Sequence, residues 1–152
     1  MNVPTAWHGN KSNGIDAFML DRDRAKAVGT HNVPIVCRRG FSRSVRPRGA
    51  VWRKLKDEAY ERYGLARGHR SFVDAAGHRH AAFTVDHLVP IELGGAPSDL
   101  RNLWPQPQAA AKRKDEVENA LHNLVCDGRI QLEAAQRAIA HDWKTALAEV
   151  LR

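Results

Sequence analysis

Cysteine and long apolar runs are both scarce in this chain of 152 residues. Its two cysteines, Cys37 and Cys126, lie far apart, and neither belongs to the Cys-x-x-Cys pair of a zinc knuckle or a thiol redox motif. They are predicted either as buried thiols or as one disulfide, and a disulfide would indicate an oxidising compartment. No stretch approaches the roughly 18 apolar residues of a membrane-spanning helix. Met1–Lys11 lacks the apolar segment of a secretory signal, so none is expected in the chain as written.

Acidic residues are fewer than basic residues. Asp and Glu total 17 against 24 Lys and Arg, which gives a formal net charge of +7. The excess is concentrated in a basic segment without acids, and we predict that these members bind nucleic acid: Arg38, Arg39, Arg43, Arg46, Arg48, Arg53 and Lys54. Arg predominates over Lys there, and its guanidinium is the better phosphate ligand. The alternative interpretation is a solvated surface that only keeps the protein soluble.

The rest of the composition predicts one globular domain, because 43% of the residues are hydrophobic and can form a core. We expect an N-terminal arm over residues 1–33 and a single domain over 34–152.

The patterns predict strands at Val33–Cys37, Ala81–Val85 and Leu103–Trp104, the last ending at Pro105. They predict helices at Ala50–Leu65 with Val51 on the apolar side, at about Gln108–Cys126, and at about Gln131–Leu151. Ala76-Gly77 is a plausible hairpin corner. The expected fold class is α+β.

The dipeptide Asp86-His87 places an acid and an imidazole at the end of a predicted strand. Adjacent residues of a strand point to opposite sides, so the two side chains can have different roles. A carboxylate is a suitable ligand for Mg²⁺ or Mn²⁺, and a neutral imidazole accepts a proton near neutral pH. This pair of groups fits the hydrolysis of a phosphodiester, with His87 activating the attacking water. An Asp-His pair alone is more often a surface turn, so its neighbours matter.

The residues around Asp86-His87 resemble the motifs of a known family. The segment Val85–Gly95 reads Val-Asp-His-Leu-Val-Pro-Ile-Glu-Leu-Gly-Gly, and Asn102–Gln106, Lys114-Asp115 and Val125–Gly128 follow it. Together they resemble the HNH endonucleases, also called ββα-metal nucleases, in particular a subgroup of small bacterial and phage-type proteins. The resemblance implies a finger core over about residues 81–126, in which a hairpin packs on a helix, with flanking helices around it.

The resemblance also implies roles for single residues. His87 matches the general base, Asp86 the first metal ligand, and Asn102 the asparagine that holds the loop in position. The usual third ligand position falls on Ala111, which has no donor atom, so Asp115 is the preferred substitute and Glu118 the reserve. The alternative for these two residues is a solvated helix face, shared with His122 and paired with Lys112 and Lys114.

The function that the resemblance implies is metal-dependent hydrolysis of DNA, rather than RNA, with little sequence preference. The expected cofactor is Mg²⁺ or Mn²⁺, with Zn²⁺ as an alternative. We expect a monomer with no membrane partner, and an inhibitor protein is an additional candidate partner. The competing hypotheses are a catalytically degenerate HNH-fold protein that binds nucleic acid, and a secreted interaction domain stapled by a disulfide. A bridged Cys37 and Cys126 would favour a secreted or periplasmic location, and free thiols the cytoplasm.

Overall fold

The computed structural model describes residues 28–152. Its helices and strands, in chain order, are α1 (Val33–Val36), α2 (Phe41–Val45), α3 (Gly49–Arg62), β1 (Ser71–Val73), β2 (Arg79–Ala81), β3 (Phe83–His87), β4 (Leu103–Pro107), α4 (Gln108–Cys126), α5 (Leu132–Asp142) and α6 (Ala146–Val150). β1 pairs with β2 and β3 with β4, in two separate antiparallel sheets. The predicted α+β class is confirmed. Of the predicted N-terminal arm, residues 1–27 lie outside the described residues.

The β3–β4 hairpin lies between two helices and carries the Asp-His pair. Val85 packs against α3 in a small cluster with Ala59 and Leu103. Trp104, which pairs with Asp86 across the hairpin, belongs instead to the main core built on α4 and α5. The two faces of β3 therefore contact different helices, as strand alternation predicts.

Two predicted strand boundaries in this region are wrong. β3 begins at Phe83 rather than Ala81, because the preceding residues Arg79–Ala81 form the separate strand β2. β4 continues through Pro105 to Pro107. Proline is tolerated there because a strand of a two-stranded sheet has an edge on which its missing N–H is not needed.

The strand predicted at Val33–Cys37 is a helix in the structure. Asn32 caps it, since its Oδ1 accepts a hydrogen bond from the N–H of Ile35 at 3.0 Å. Pro34 lies in the first turn, where a helix does not need the N–H that proline lacks. The cap and the proline together outweigh the strand preference of the β-branched residues.

Helix α3 confirms the prediction for Ala50–Leu65 to within three residues, but its inner face differs. Val51, predicted on the apolar side, is 62% exposed, whereas Trp52 packs against the hairpin. The prediction for α4 is confirmed at both ends, and Gly128 adopts a φ of 72° just beyond it. Such a left-handed glycine is a common end of a helix.

The single C-terminal helix predicted for about Gln131–Leu151 is two helices. Asp142 interrupts it: the Oδ1 of Asp142 accepts a hydrogen bond from the N–H of Lys144 at 3.0 Å. A side-chain acceptor of this kind offers the backbone a turn in place of the helix. The break allows α6 to fold back on α4 and α5.

A disulfide joins Cys37, after α1, to Cys126, at the end of α4, with their Cα atoms 5.7 Å apart. Of the two predicted alternatives for the cysteines, the bridge is therefore the correct one. It holds the segment before α2 against the C-terminal end of α4. Across residues 28–152, no helix combines the length and apolar character needed to cross a bilayer.

Candidate functional site

The imidazole of His87 is almost fully buried and is held on two sides. Its Nε2 donates a hydrogen bond to the backbone oxygen of Pro97 at 2.9 Å. Its ring lies parallel to that of Trp52, with the ring centroids 6.0 Å apart. A carbonyl oxygen can only accept, so Nε2 carries the proton and, in the neutral ring, Nδ1 carries the lone pair. Burial lowers the pKa of His87, which favours this neutral form.

Asp86, on the other face of β3, is bound by a lysine from α4. The ammonium of Lys114 has no exposed surface. It donates to Asp86 Oδ2 and to the backbone oxygen of His87, each at 2.9 Å, and also to Glu118 Oε1. Burial disfavours the charge of Lys114, but the two carboxylates outweigh burial and raise its pKa. Lys114 thus stays protonated and ties the end of β3 to α4.

A cavity of about 310 Å³ opens beside this cluster, between α2, the loop after β3 and α4. Its walls include the carboxylates of Glu92, Asp115 and Glu118 and the guanidinium of Arg46. In the part of the chain that the structure describes, the carboxylates of Glu92 and Asp115 have no hydrogen-bond or ion-pair partner.

Burial and the neighbouring negative charges raise the pKa values of these acids. Burial, reinforced by the charge of Asp86, raises the pKa of Asp115. Burial also raises the pKa of Glu92, and the charge of Asp115 adds to this. Burial raises the pKa of Glu118 to about 7 against the opposing effect of Lys114. Each carboxylate would gain from a further cation nearby, because that cation would stabilise its charged form.

Asn102 holds together the loop that follows β3. Its Oδ1 accepts a hydrogen bond from the N–H of Val89 at 2.8 Å, and its Nδ2 donates to the backbone oxygens of Val89 and Ala96 at 3.0 and 2.9 Å. The close packing of this loop requires Gly95, because a Cβ there would overlap the Val89 oxygen. The loop is therefore rigid, and it places Pro97 where His87 can bind it.

All seven predicted nucleic-acid-binding residues are exposed: Arg38, Arg39, Arg43, Arg46, Arg48, Arg53 and Lys54. They lie on α1, α2, the first half of α3 and the connections between them. Arg46 differs from the others, since it reaches the acidic cavity and its charge acts on the pKa values of His87, Glu92 and Asp115.

The structure brings some of the predicted site residues together and changes the environment of others. Asp86, Asp115 and Glu118 lie around one region, but the solvated helix face proposed for the latter two is wrong for Glu118, which is buried against Lys114. Within residues 28–152, no three Asp, Glu, His or Cys side chains already have the arrangement of a metal site.

Two residues of this region escaped the sequence analysis. Lys114 was placed on a solvated face, although its spacing of four residues from Glu118 and seven from Leu121 puts it on the inner side of α4. Glu92 gave no periodic signal, because it lies in a loop whose direction only the fold determines.

Comparison of the chain with protein-family models, with curated proteins and with solved structures found no significant match.

Proposed function

We propose that the chain is a metal-dependent endonuclease that hydrolyses phosphodiester bonds of DNA with little sequence preference. The observation that carries the proposal is the orientation of His87. The Pro97 oxygen holds the proton on Nε2, which leaves Nδ1 as the base, and burial keeps the ring neutral. A general base needs both a fixed orientation and a neutral form at the working pH.

In this mechanism His87 takes a proton from the attacking water through Nδ1. Asp86, on the opposite face of β3, would hold a metal ion beside the phosphate. Asn102 does not contact the substrate and acts by holding the loop in position. The Arg46 guanidinium, at the rim of the cavity, neutralises charge that develops on the phosphate.

The carboxylates fit a hard divalent cation such as Mg²⁺ or Mn²⁺ better than Zn²⁺, which prefers nitrogen and sulfur. Asp86 and Asp115 would hold it, with Glu118 as a reserve that Lys114 already engages. When bound, such an ion stabilises charge on the phosphate and on the leaving oxygen. The raised pKa values of Asp115 and Glu118 support this assignment, because a cation would stabilise the charged carboxylates against burial and against the charge of Asp86.

The exposed basic segment supports a polyanionic substrate. Contacts from these side chains to phosphates would position the DNA without selecting a sequence. The disulfide supports a secreted or periplasmic location, since such bonds persist in oxidising compartments.

The test is nicking of supercoiled plasmid with Mg²⁺ or Mn²⁺, with and without a chelator. His87→Ala should abolish nicking, while the control His141→Ala, at an exposed position on α5 outside the site, should not. Asp86→Asn should reduce nicking and weaken metal binding. If purified His87→Ala protein still nicks plasmid, His87 is not the general base.

One observation favours a second candidate, a degenerate protein that binds nucleic acid without cutting it. Lys114 bridges Asp86 and Glu118, and Ala111 stands at the usual ligand position. Titration calorimetry with Mn²⁺ separates the two: the degenerate protein binds DNA in a salt-dependent way but neither binds the ion nor nicks.

A further inference from the structure

The β1–β2 hairpin is separate from the core and exposes apolar side chains. Among the described residues its strands pair only with each other, with Phe72 opposite His80 and Val73 opposite Arg79. Phe72 is 50% exposed and Val73 54%. An isolated two-stranded hairpin has marginal stability in water, and exposed apolar groups on such an element often mark a contact with a partner.

Basic side chains outnumber acidic ones in the hairpin and its base. Residues 67–80 contain three arginines and three histidines but a single acid, Asp74. The side chains of Arg79, His78 and His80 are exposed. Asp74 is at the tip, where it accepts hydrogen bonds from the N–H groups of Ala76 and His78, both at 2.9 Å. Arg67 and Arg70 at the base pair with Asp57 of α3, and Asp74 pairs with His78 and His80. In the described part of the chain Arg79 has no acidic partner, so its charge is available to a polyanion.

The exposed groups lie on both faces of the ribbon. Phe72 and His80 stack on one face with their ring centroids 5.2 Å apart. Val73 and Arg79 occupy the other face, where Arg79 also binds Ser71 Oγ at 2.9 Å. A flat partner would cover one face only, whereas a groove contacts both. The major groove of B-DNA is about 12 Å wide and admits a two-stranded ribbon.

The hairpin is connected rigidly to the candidate site. β2 leads through Ala82 directly into β3, and Ala82 is held on both sides: its N–H donates to the Arg70 oxygen, and its own oxygen accepts from the N–H of Gln108, each at 3.0 Å. His87 lies five residues further along the extended chain than Ala82, which is about 16 Å, or roughly five base pairs of duplex. A duplex at the site can therefore reach the hairpin.

We propose that the β1–β2 hairpin, whose base lies about five base pairs from the bond at the catalytic site, enters the major groove of a DNA duplex and so selects double-stranded over single-stranded substrate. This inference rests on the proposed nuclease function and adds its substrate class. Phe72 supplies apolar contact inside the groove, which a single strand does not offer, and Arg79 a contact with phosphate. The small residues Ala75, Ala76 and Gly77 at the tip allow close approach to the floor of the groove.

The experiment measures the affinity of His87→Ala protein for labelled duplex and for the same sequence as a single strand, by fluorescence anisotropy in chelator, so that no cleavage occurs. Phe72→Ala should weaken duplex binding about tenfold and leave single-strand binding unchanged. Arg79→Ala should lower the slope of log affinity against log salt by about one for the duplex. Leu151→Ala and Arg129→Ala, at exposed positions far from the hairpin in sequence, are the matched controls.

Phe72→Leu keeps an apolar side chain and should retain part of the duplex preference. This result would show that Phe72→Ala weakens binding by removing an apolar contact and not by unfolding the hairpin. Unchanged duplex binding by Phe72→Ala and Arg79→Ala would overturn the proposal. The exposed hairpin would then be a surface for a protein partner and not for DNA. Equal weakening for duplex and single strand would overturn it as well, since no groove would be involved. Failure of the nuclease function is distinguishable, because the wild-type protein would then not nick plasmid at all.

Discussion

Replacing Lys114 tests the organisation of the site most directly. Lys114→Met keeps the length and apolar stem of the side chain but removes the ammonium that binds Asp86, Glu118 and the His87 oxygen. The carboxylates of Asp86, 23% exposed, and Glu118, 11% exposed, would then face each other without the ammonium between them. Removing one partner of a buried ion pair costs about 3–5 kcal/mol, and the whole free energy of unfolding of a domain is about 5–15 kcal/mol.

The expected result is a loss of about 3–5 kcal/mol in the free energy of unfolding, measured by urea denaturation followed by tryptophan fluorescence. For a domain of this size this lowers Tm by roughly 6–20 °C. The loss should be smaller at pH 5 than at pH 8. Glu118, with a pKa of about 7, is protonated at pH 5, so less charge is left unpaired.

Two controls separate the charge effect from general damage. Lys112→Met changes an exposed lysine on the same helix and should cost less than about 0.5 kcal/mol. Combining Lys114→Met with Asp86→Asn and Glu118→Gln removes all three charges and should recover most of the loss. A cost below about 1 kcal/mol for Lys114→Met alone would refute the reasoning that this ammonium holds the strand end to α4.

Three further outcomes are expected. Gly95→Ala should cost more than about 3 kcal/mol by urea denaturation because its Cβ would overlap a backbone oxygen, whereas Gly68→Ala, where a Cβ meets no described atom within 4 Å, should change stability little. Replacing Cys37 and Cys126 by Ala should lower the free energy of unfolding by about 4–5 kcal/mol, the chain-entropy value for a loop of 89 residues, and an unchanged urea midpoint would contradict this. The nicking rate should rise with pH through an apparent pKa below 6.5 and then level off, because burial lowers the pKa of His87 and only its neutral form is a base; a rise centred above pH 7 in the pH–rate profile would exclude this assignment.

Local patterns in the sequence were sufficient for the helix that carries Asp115 and Glu118 and for the alternation of Asp86 and His87. The helix has a long amphipathic period and a terminal glycine, and both signals are local. The order strand, loop, strand, helix could also be predicted from the sequence. The predicted end of β4 at Pro105 was too early, because β4 continues to Pro107. In contrast, the short apolar run at Val33–Cys37 fits a strand or a helix equally well, and the cap by Asn32 decided it.

Only the tertiary structure decided which charges meet. The sequence determined that a helix with Lys114 and Glu118 follows a strand with Asp86, but the burial of the ammonium between the carboxylates depends on how α4 packs against the hairpin. The addition of Glu92 to the acidic cavity depends on a loop that Asn102 ties down, and the bridge between Cys37 and Cys126 depends on two helix ends that meet 89 residues apart. Periodicity reports the inner face of one element, whereas contacts between elements follow from packing all of them at once.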